Sequence, residues 1–274
     1  MHPMVNIALA AARKAGEIIA RAADRIDLLE VSHKAENDFV TEIDRNAERE
    51  IIHQLRKAYP DHQILAEESG ASGETTRSGG FRWIIDPLDG TTNFLHGIPH
   101  FAVSIACMRD GRLEHAVILD PIRREEFTAT RGAGAQLNGR RIRVSTRTGL
   151  REAVLGTGIP FREPTIAQLP AYLRTLEHFA TRSAGIRRAG AAALDLAYVA
   201  AGRLDGFWEI GLQPWDMAAG ALLIQEAGGL VSDFDGNNDW LNSGQIVAAN
   251  PKCLKAMLQV IRPVLGSAAT SPAT

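Results

Sequence analysis

Apolar residues at helical spacing predict two amphipathic helices near the start of the chain. They recur over residues 4–23 and again from Ile43 onward, with charged residues on the opposite face of each segment. Thr41 followed three residues later by Asp44 is typical of a capping box, although Asp is a less usual partner there than Glu. Capping is therefore one role for Asp44, and a carboxylate that accepts a proton from an activated water is the alternative.

Short apolar runs predict strands, and their arrangement changes near residue 150. In the first half we expect strands over 62–66, 83–85, 101–108, 113–119 and 126–130, with tight turns at Asp110-Gly111 and Asn138-Gly139. In the second half, short strands over 153–157, 204–210, 230–232 and 246–248 alternate with helices over 165–181, 191–201, 214–227 and from Pro251. The pattern predicts a mixed fold, α+β / α/β, with an N-terminal α+β lobe over 1–150, a C-terminal α/β lobe over 151–265 and a disordered tail over 266–274.

Composition narrows the class of protein but does not give the function. The chain has 274 residues, 45% of them hydrophobic, and a formal net charge of −2, so no general attraction to nucleic acid or anionic membranes is expected. Cys107 and Cys253 lie in apolar surroundings without a C-x-x-C partner, which is typical of buried thiols. Because the sequence contains neither a long uncharged apolar run nor a signal-peptide pattern, we expect a soluble, cytoplasmic protein.

Carboxylates at the boundaries of predicted elements are the candidate chemistry: Glu67, Asp86, Asp89 and Asp216. The strand over 83–85 is expected to end on Asp86, because Pro87 cannot donate a hydrogen bond to a sheet. Carboxylates at such positions can share hard cations, and the absence of a Cys or His cluster favours Mg²⁺ or Mn²⁺ over Zn²⁺. An Asp-rich turn that only caps a helix remains the alternative for Asp86 and Asp89, and interaction with the helix dipole remains the alternative for Asp216.

Two segments resemble the paired signatures of the inositol monophosphatase family. Residues 83–94 read W-I-I-D-P-L-D-G-T-T-N-F, and residues 214–220 read P-W-D-M-A-A-G. The resemblance extends from the first helix through Gly229 and beyond. The opening M-H-P-M and the stretch A-L-D-L-A-Y-V-A-A-G-R at 193–203 are most similar to the bacterial SuhB-type members of that family.

The resemblance implies a layered αβαβα sugar-phosphatase fold and Mg²⁺-dependent hydrolysis of myo-inositol 1-phosphate or a related polyol phosphate. By that resemblance, Glu67, Asp86 and the carbonyl of Leu88 hold one metal ion, while Asp86, Asp89 and Asp216 hold a second. Two to three Mg²⁺ ions per site are implied, with Mn²⁺ as a substitute. The catalytic residues that it implies are Asp44, Thr91 and Glu67, with Thr91 and Asp44 accepting the proton of the attacking water.

The resemblance also implies which residues contact the substrate: Glu67, Leu88, Asp89, Gly90, Thr91, Arg187, Gly190, Ala191, Ala192, Glu209 and Asp216. A carboxylate such as Glu209 accepts hydrogen bonds from hydroxyls and repels a second phosphate, which favours a polyol. A fructose-bisphosphatase or a 3′-phosphonucleotidase is the alternative within the same fold.

Two further expectations concern partners and inhibition. The SuhB-type branch implies service as a binding factor in ribosomal RNA transcription antitermination, through Nus factors and RNA polymerase. The residues themselves offer little support, since Arg182, Arg187 and Arg188 form only a small basic cluster. The family also implies a homodimer and inhibition by Li⁺.

Overall fold

The structure is a computed structural model that describes residues 1–23, 31–35, 38–73, 80–161 and 163–267. The α-helices in this part of the chain are Pro3–Ala23 (α1), Glu42–Ala58 (α2), Thr91–Leu95 (α3), Leu169–Ala180 (α4), Ala192–Ala200 (α5), Pro214–Glu226 (α6), Trp240–Ser243 (α7) and Pro251–Leu265 (α8). A 3₁₀ turn over Thr165–Gln168 leads into α4, so the helix expected over 165–181 is tighter in its first turn.

The larger sheet has eight strands and contains most of the first half of the chain. Its strands are Gln63–Ala66 (β3), Gly70–Ser72 (β4), Phe81–Asp89 (β5), Ala102–Arg109 (β6), Arg112–Asp120 (β7), Glu125–Thr130 (β8), Gly134–Leu137 (β9) and Arg140–Arg141 (β10), which follow a separate hairpin of Val31–Ala35 (β1) and Asp38–Thr41 (β2). The strand order is β10-β9-β8-β7-β6-β5-β3-β4, and only β3 and β5 run parallel to each other. The long antiparallel part is built from strands and tight turns that the sequence predicts.

The smaller sheet has five strands, all from the second half of the chain. They are Val154–Thr157 (β11), Gly185–Arg187 (β12), Gly206–Ile210 (β13), Leu230–Ser232 (β14) and Gln245–Ala249 (β15), in the order β12-β11-β13-β15-β14. β11 is parallel to both of its neighbours, whereas β15 is antiparallel to β13 and β14.

Alternate faces of the strands build three apolar cores between five layers. Trp83 and Ile85 of β5 point into a core with α1 and α2, whereas Ile84 of the same strand faces α5 and α6. The other side of α5 and α6 packs on the smaller sheet through residues such as Phe207. The far face of that sheet is covered by α4 and α8. The resulting order is αβαβα, which confirms the fold class predicted from the sequence.

The expected end of the central strand at Asp86 is wrong. β5 runs on through Pro87 to Asp89. Its pairing with β6 shifts register between Asp86 and Asp89 and resumes where Asp89 pairs with Ala102. A bulge of this kind leaves a residue unpaired, so the missing N–H of Pro87 breaks no required ladder bond.

Other sequence expectations have simpler outcomes. Asn138 and Gly139 both have positive φ, 49° and 75°, as a tight hairpin turn requires. Both cysteines are buried free thiols. Residues 268–274 of the expected disordered tail lie outside the described residues. No helix in the described ranges is both long and apolar enough to cross a membrane.

Candidate active site

A cavity of about 530 Å³ opens beside the end of β5 and the first turn of α6. Its walls come from five places in the sequence: the turn after β3, the β5–α3 segment, the loop after β11, the segment before α5, and the chain from the end of β13 to the first turn of α6. The polar residues on its wall include Glu67, Asp86, Asp89, Thr91, Arg188, Glu209 and Asp216. The layers thus bring carboxylates together that are distant in the sequence.

Three aspartates form a compact acidic group on this wall. One carboxylate oxygen from each of Asp86, Asp89 and Asp216 lies within 4.8 Å of the others. Asp86 and Asp89 flank the bulge of β5, and Asp216 lies in the first turn of α6. The backbone N–H of Gln213 donates to Asp216 Oδ2 at 2.6 Å and orients that carboxylate.

Burial makes the negative charge of this group unfavourable unless a cation is present. Asp86 is 2% exposed, and burial raises its pKa well above the ordinary value, with further increases from Glu67, Asp89 and Asp216. Burial likewise raises the pKa of Asp89, against a hydrogen bond at 2.7 Å from the N–H of Ala193 that lowers it.

The residues present fit a divalent cation bound by oxygen atoms. The described cavity wall contains neither His nor Cys, and Arg188 is the basic residue on it. Oxygen-only ligands are those that Mg²⁺ and Mn²⁺ prefer, and a divalent ion would offset the mutual repulsion of the aspartates.

The turn after β5 is fixed by short-range hydrogen bonds. The N–H of Leu88 donates to Asp86 Oδ1 at 2.9 Å, and Thr91 Oγ1 lies 3.1 Å from the carbonyl oxygen of Leu88. Gly90 has φ +95°, and a Cβ there would lie 3.0 Å from the carbonyl oxygen of His100. Glycine is therefore required at this position for both its backbone angle and its lack of a side chain.

Asp44 caps α2, as the sequence predicts, and also bonds to the cavity wall. Its Oδ2 accepts a hydrogen bond from the N–H of Thr41 at 2.8 Å, and Thr41 Oγ1 accepts one from the N–H of Asp44 at 3.3 Å; these two bonds form the capping box of α2. Thr41 Oγ1 also donates to Asp44 Oδ2 at 2.5 Å. Its Oδ1 accepts a hydrogen bond from Thr91 Oγ1 at 2.9 Å. Asp44 is fully buried, and this bond links α2 directly to the cavity wall.

The other predicted site residues lie on or near the same wall. Glu67, Leu88, Gly90, Gly190, Ala192 and Glu209 line the cavity together with the aspartates. Ala191 lies behind Gly90, where its Cβ would be 3.2 Å from a Cβ at position 90. Arg187 is exposed on β12 and is absent from the described lining, whereas its neighbour Arg188 is part of it.

Sequence reasoning missed two residues that shape the cavity. A Cβ at Gly158 would lie 1.7 Å from Glu209 Oε1, so only glycine leaves room for that carboxylate. Asn93 donates to the carbonyl oxygens of His100 at 2.7 Å and Ala189 at 2.8 Å, and thereby ties α3 to the segment before α5. Asn93 lies within the signature at 83–94, which could have drawn attention to it, but nothing in the sequence pairs position 158 with Glu209.

Known proteins are similar to this chain over nearly its whole length. A sequence model of the inositol monophosphatase family matches residues 1–264. The Nus factor SuhB of Pseudomonas aeruginosa is 61% identical over 265 residues, which cover 97% of this chain and 98% of that protein.

Solved structures of similar proteins share the fold over nearly the whole chain. The crystal structure of the extragenic suppressor protein suhB from Bartonella henselae is similar with a TM-score of 0.91 and 46% identity, covering 95% of this chain and 99% of that one. The inositol monophosphatase from Anabaena has a TM-score of 0.83 and 35% identity, with 97% and 98% coverage.

Proposed function

Because the chain belongs to the inositol monophosphatase family, we propose that it is a Mg²⁺-dependent phosphomonoesterase that hydrolyses myo-inositol 1-phosphate or a closely related polyol phosphate. The observation that carries the proposal is the group of three aspartate oxygens within 4.8 Å of one another on the wall of an open cavity. Such a group attracts divalent cations and would repel a phosphate without them.

The residues that would hold the metal ions are those on the β5 turn and its neighbours. Glu67, Asp86 and the carbonyl of Leu88 form one set, and Asp86, Asp89 and Asp216 form the other. When bound, the ions supply a Lewis acid that lowers the pKa of a water and stabilises the departing alkoxide. The chain contributes a fixed arrangement of ligands, since the turn and Asp216 are both held by backbone hydrogen bonds.

Thr91 and Asp44 are the residues suited to guide the proton of the attacking water. The hydroxyl of Thr91 donates to the buried Asp44 Oδ1, so the Thr91 oxygen is left to accept a hydrogen bond from water. Asp44 in turn is held by two bonds from Thr41, which keeps its carboxylate in position. A positioned acid–base group of this kind contributes roughly 10²–10⁴-fold to a rate.

Glu209 is the residue that favours a polyol over a second phosphate. It lies on the cavity wall, and the missing side chain of Gly158 leaves space for its carboxylate. A carboxylate accepts hydrogen bonds from ring hydroxyls and repels an additional phosphate. Gly190 and Ala192 line the same cavity, and their small size would leave room for the polyol ring.

The proposal is tested by measuring phosphate release from myo-inositol 1-phosphate, fructose 1,6-bisphosphate and 3′-phosphoadenosine 5′-phosphate, each with Mg²⁺ and with excess EDTA. We expect the highest kcat/KM for the inositol phosphate and no release in EDTA. A clear preference for either bisphosphate would replace the proposed substrate class, and release in EDTA would contradict the metal-dependent reaction. Inhibition by Li⁺ is expected in the same assay.

A second candidate function is binding within the transcription machinery. It is favoured by one observation, the 61% identity to a protein named Nus factor SuhB. The expected partners are RNA polymerase and other Nus factors, and the expected assembly is a homodimer. A strain that lacks this protein and expresses Asp216→Asn separates the functions: restored ribosomal RNA transcription would support a binding role, whereas failure beside a rescuing wild type would tie that role to catalysis.

A further inference from the structure

The turn that carries Glu67 is held through three consecutive backbone amides. The N–H of Glu67 donates to the carbonyl oxygen of Ile85 at 3.1 Å. The N–H of Glu68 then donates to Glu48 Oε2 at 2.8 Å, and the N–H of Ser69 donates to Glu48 Oε1 at 2.9 Å. One carboxylate therefore binds both amides that follow Glu67.

The position of these bonds relative to the sheet explains why a side chain is needed there. β3 is parallel to β5 as far as the pair Ala66 and Ile85, which places Glu67 and Asp86 one residue beyond the paired positions. β3 ends at Ala66, so the strand ladder no longer fixes the chain after Glu67. The two oxygens of Glu48 replace the missing ladder partner for the next two amides.

Glu48 is a buried carboxylate whose charge is satisfied by the Glu67 turn. It is 3% exposed on α2, where the side chain one turn before it is the fully buried Asp44. A buried carboxylate is costly unless it is hydrogen-bonded, and here the two amides meet that need. One face of α2 therefore presents two buried carboxylates, and each is bonded to a segment of the cavity wall.

We propose that Glu48 is a positioning residue of the metal site, which fixes Glu67 beside Asp86 by binding the amides of Glu68 and Ser69. The inference rests on the proposed function only in taking Glu67 as a metal ligand. Helix α2 thereby sets two parts of the site, the Glu67 turn through Glu48 and Thr91 through Asp44.

Glu48→Gln tests the proposal, because it keeps the size of the side chain and turns one amide-binding oxygen into an NH₂ group. Mn²⁺ affinity is measured by calorimetric titration of the full chain, and the Mg²⁺ concentration for half-maximal phosphate release is measured beside it. We expect both to weaken by about 10-fold or more, the usual effect of losing a residue that orients a ligand. Glu50→Gln is the matched control, since it is the same change on the same helix outside the turn, and it should bind Mn²⁺ as the wild type does.

A merely structural role would give a different result. If Glu48→Gln lowers the Tm but binds Mn²⁺ within two-fold of the wild type, the proposal is overturned. If that variant does not fold, Glu48→Asp takes its place, since it keeps the charge but shortens the reach by one methylene; weaker Mn²⁺ binding supports the proposal and unchanged binding overturns it.

A double substitution shows whether Glu48 acts through Glu67. In a Glu67→Gln background, Glu48→Gln should cause little additional loss of Mn²⁺ affinity, whereas an undiminished loss would contradict the proposal.

The proposed function is judged separately, on the wild-type protein. If the wild type binds Mn²⁺ but releases no phosphate, the proposed phosphatase activity is refuted, and the role of Glu48 is still decided by the Mn²⁺ affinities. A wild type that binds no Mn²⁺ would refute both.

Discussion

Asp44 illustrates how one side chain serves both the fold and the site. Its Oδ2 binds Thr41 and begins α2, and its Oδ1 binds the hydroxyl of Thr91 on the cavity wall. The sequence predicts the capping box from Thr41 and Asp44 alone, because both partners lie within four residues. The bond to Thr91 spans 47 residues and depends on how α2 packs against the sheet, which local sequence does not specify.

The hydroxyl of Thr91 is the group to remove at this scale. Thr91→Val keeps the shape of the side chain but loses the bond to Asp44, so kcat for phosphate release should fall by about 100-fold or more. Thr91→Ser retains the hydroxyl and should keep most of the activity. Rates for the three proteins at saturating Mg²⁺ are the measurement, and a Thr91→Val enzyme within a few-fold of the wild type would contradict the role of this hydroxyl.

Among the elements, those with a clear apolar pattern are predicted from the sequence, and those without one are not. The apolar runs at 83–85 and 113–119 and the helical spacing at 4–23 lie within observed elements, and the run at 101–108 begins one residue before β6. The hairpin of β1 and β2 and the three-residue strand β12 have too little apolar alternation to be predicted. Pro87 misled the prediction because a bulge depends on the partner strand β6, which the local sequence does not identify.

The crossing of α5 and α6 gives a prediction at the element scale. A Cβ at Gly220 of α6 would lie 2.4 Å from Leu196 Cβ, an atom close to the backbone of α5 that cannot swing away. We expect Gly220→Ala to lower the free energy of unfolding by about 1–3 kcal/mol, as overpacking usually does.

Gly16→Ala in α1 is the matched comparison. A Cβ there would meet Leu119 Cδ2 at 2.8 Å, which is the far end of a flexible side chain. The gain in helix propensity, up to about 1 kcal/mol, should offset most of the cost. Urea denaturation of the two variants is the measurement. Equal losses of stability would show that the rigidity of the α5–α6 contact is not the cause.

For the whole molecule, the site exists because four of the five layers contribute to it. Asp44 comes from the outer helices, Asp86 from the larger sheet, Asp216 from the central helices and Glu209 from the smaller sheet. The two signatures identify the aspartates, and the family resemblance gives the layer order. Residues such as Gly158 and Glu48 matter through contacts with residues distant in the sequence, so they cannot be recognised from spacing along the chain.

A buried histidine in the larger sheet makes the stability of the protein depend on pH in the mildly acidic range. His115 of β7 is 5% exposed and stacks on the ring of His2 at 4.2 Å between centroids. Burial, with a smaller contribution from His2, lowers the pKa of His115 from 6.5 to about 4. Below pH 6.5 the unfolded chain therefore binds a proton that the folded protein does not, and stability falls as the pH drops from 6.5 towards 4.

We expect His115→Gln to reduce this fall in the free energy of unfolding. Denaturation at several values between about pH 7 and pH 5 measures the slope for the wild type and the variant. His178→Gln, at an exposed position, is the control and should leave the slope unchanged. An unaltered slope in His115→Gln would mean that another group accounts for the acid sensitivity.

The most direct test of the central claim is a Mg²⁺ titration of phosphate release from myo-inositol 1-phosphate by Asp216→Asn. This change removes one charge of the three-aspartate group with little change in size, and Asp110→Asn at an exposed turn is the control. We expect Asp216→Asn to lose at least about 100-fold in rate at any Mg²⁺ concentration, since metal ions contribute several kcal/mol to such reactions. Near-normal, Mg²⁺-dependent release by Asp216→Asn would contradict the assignment of this group as the catalytic metal site.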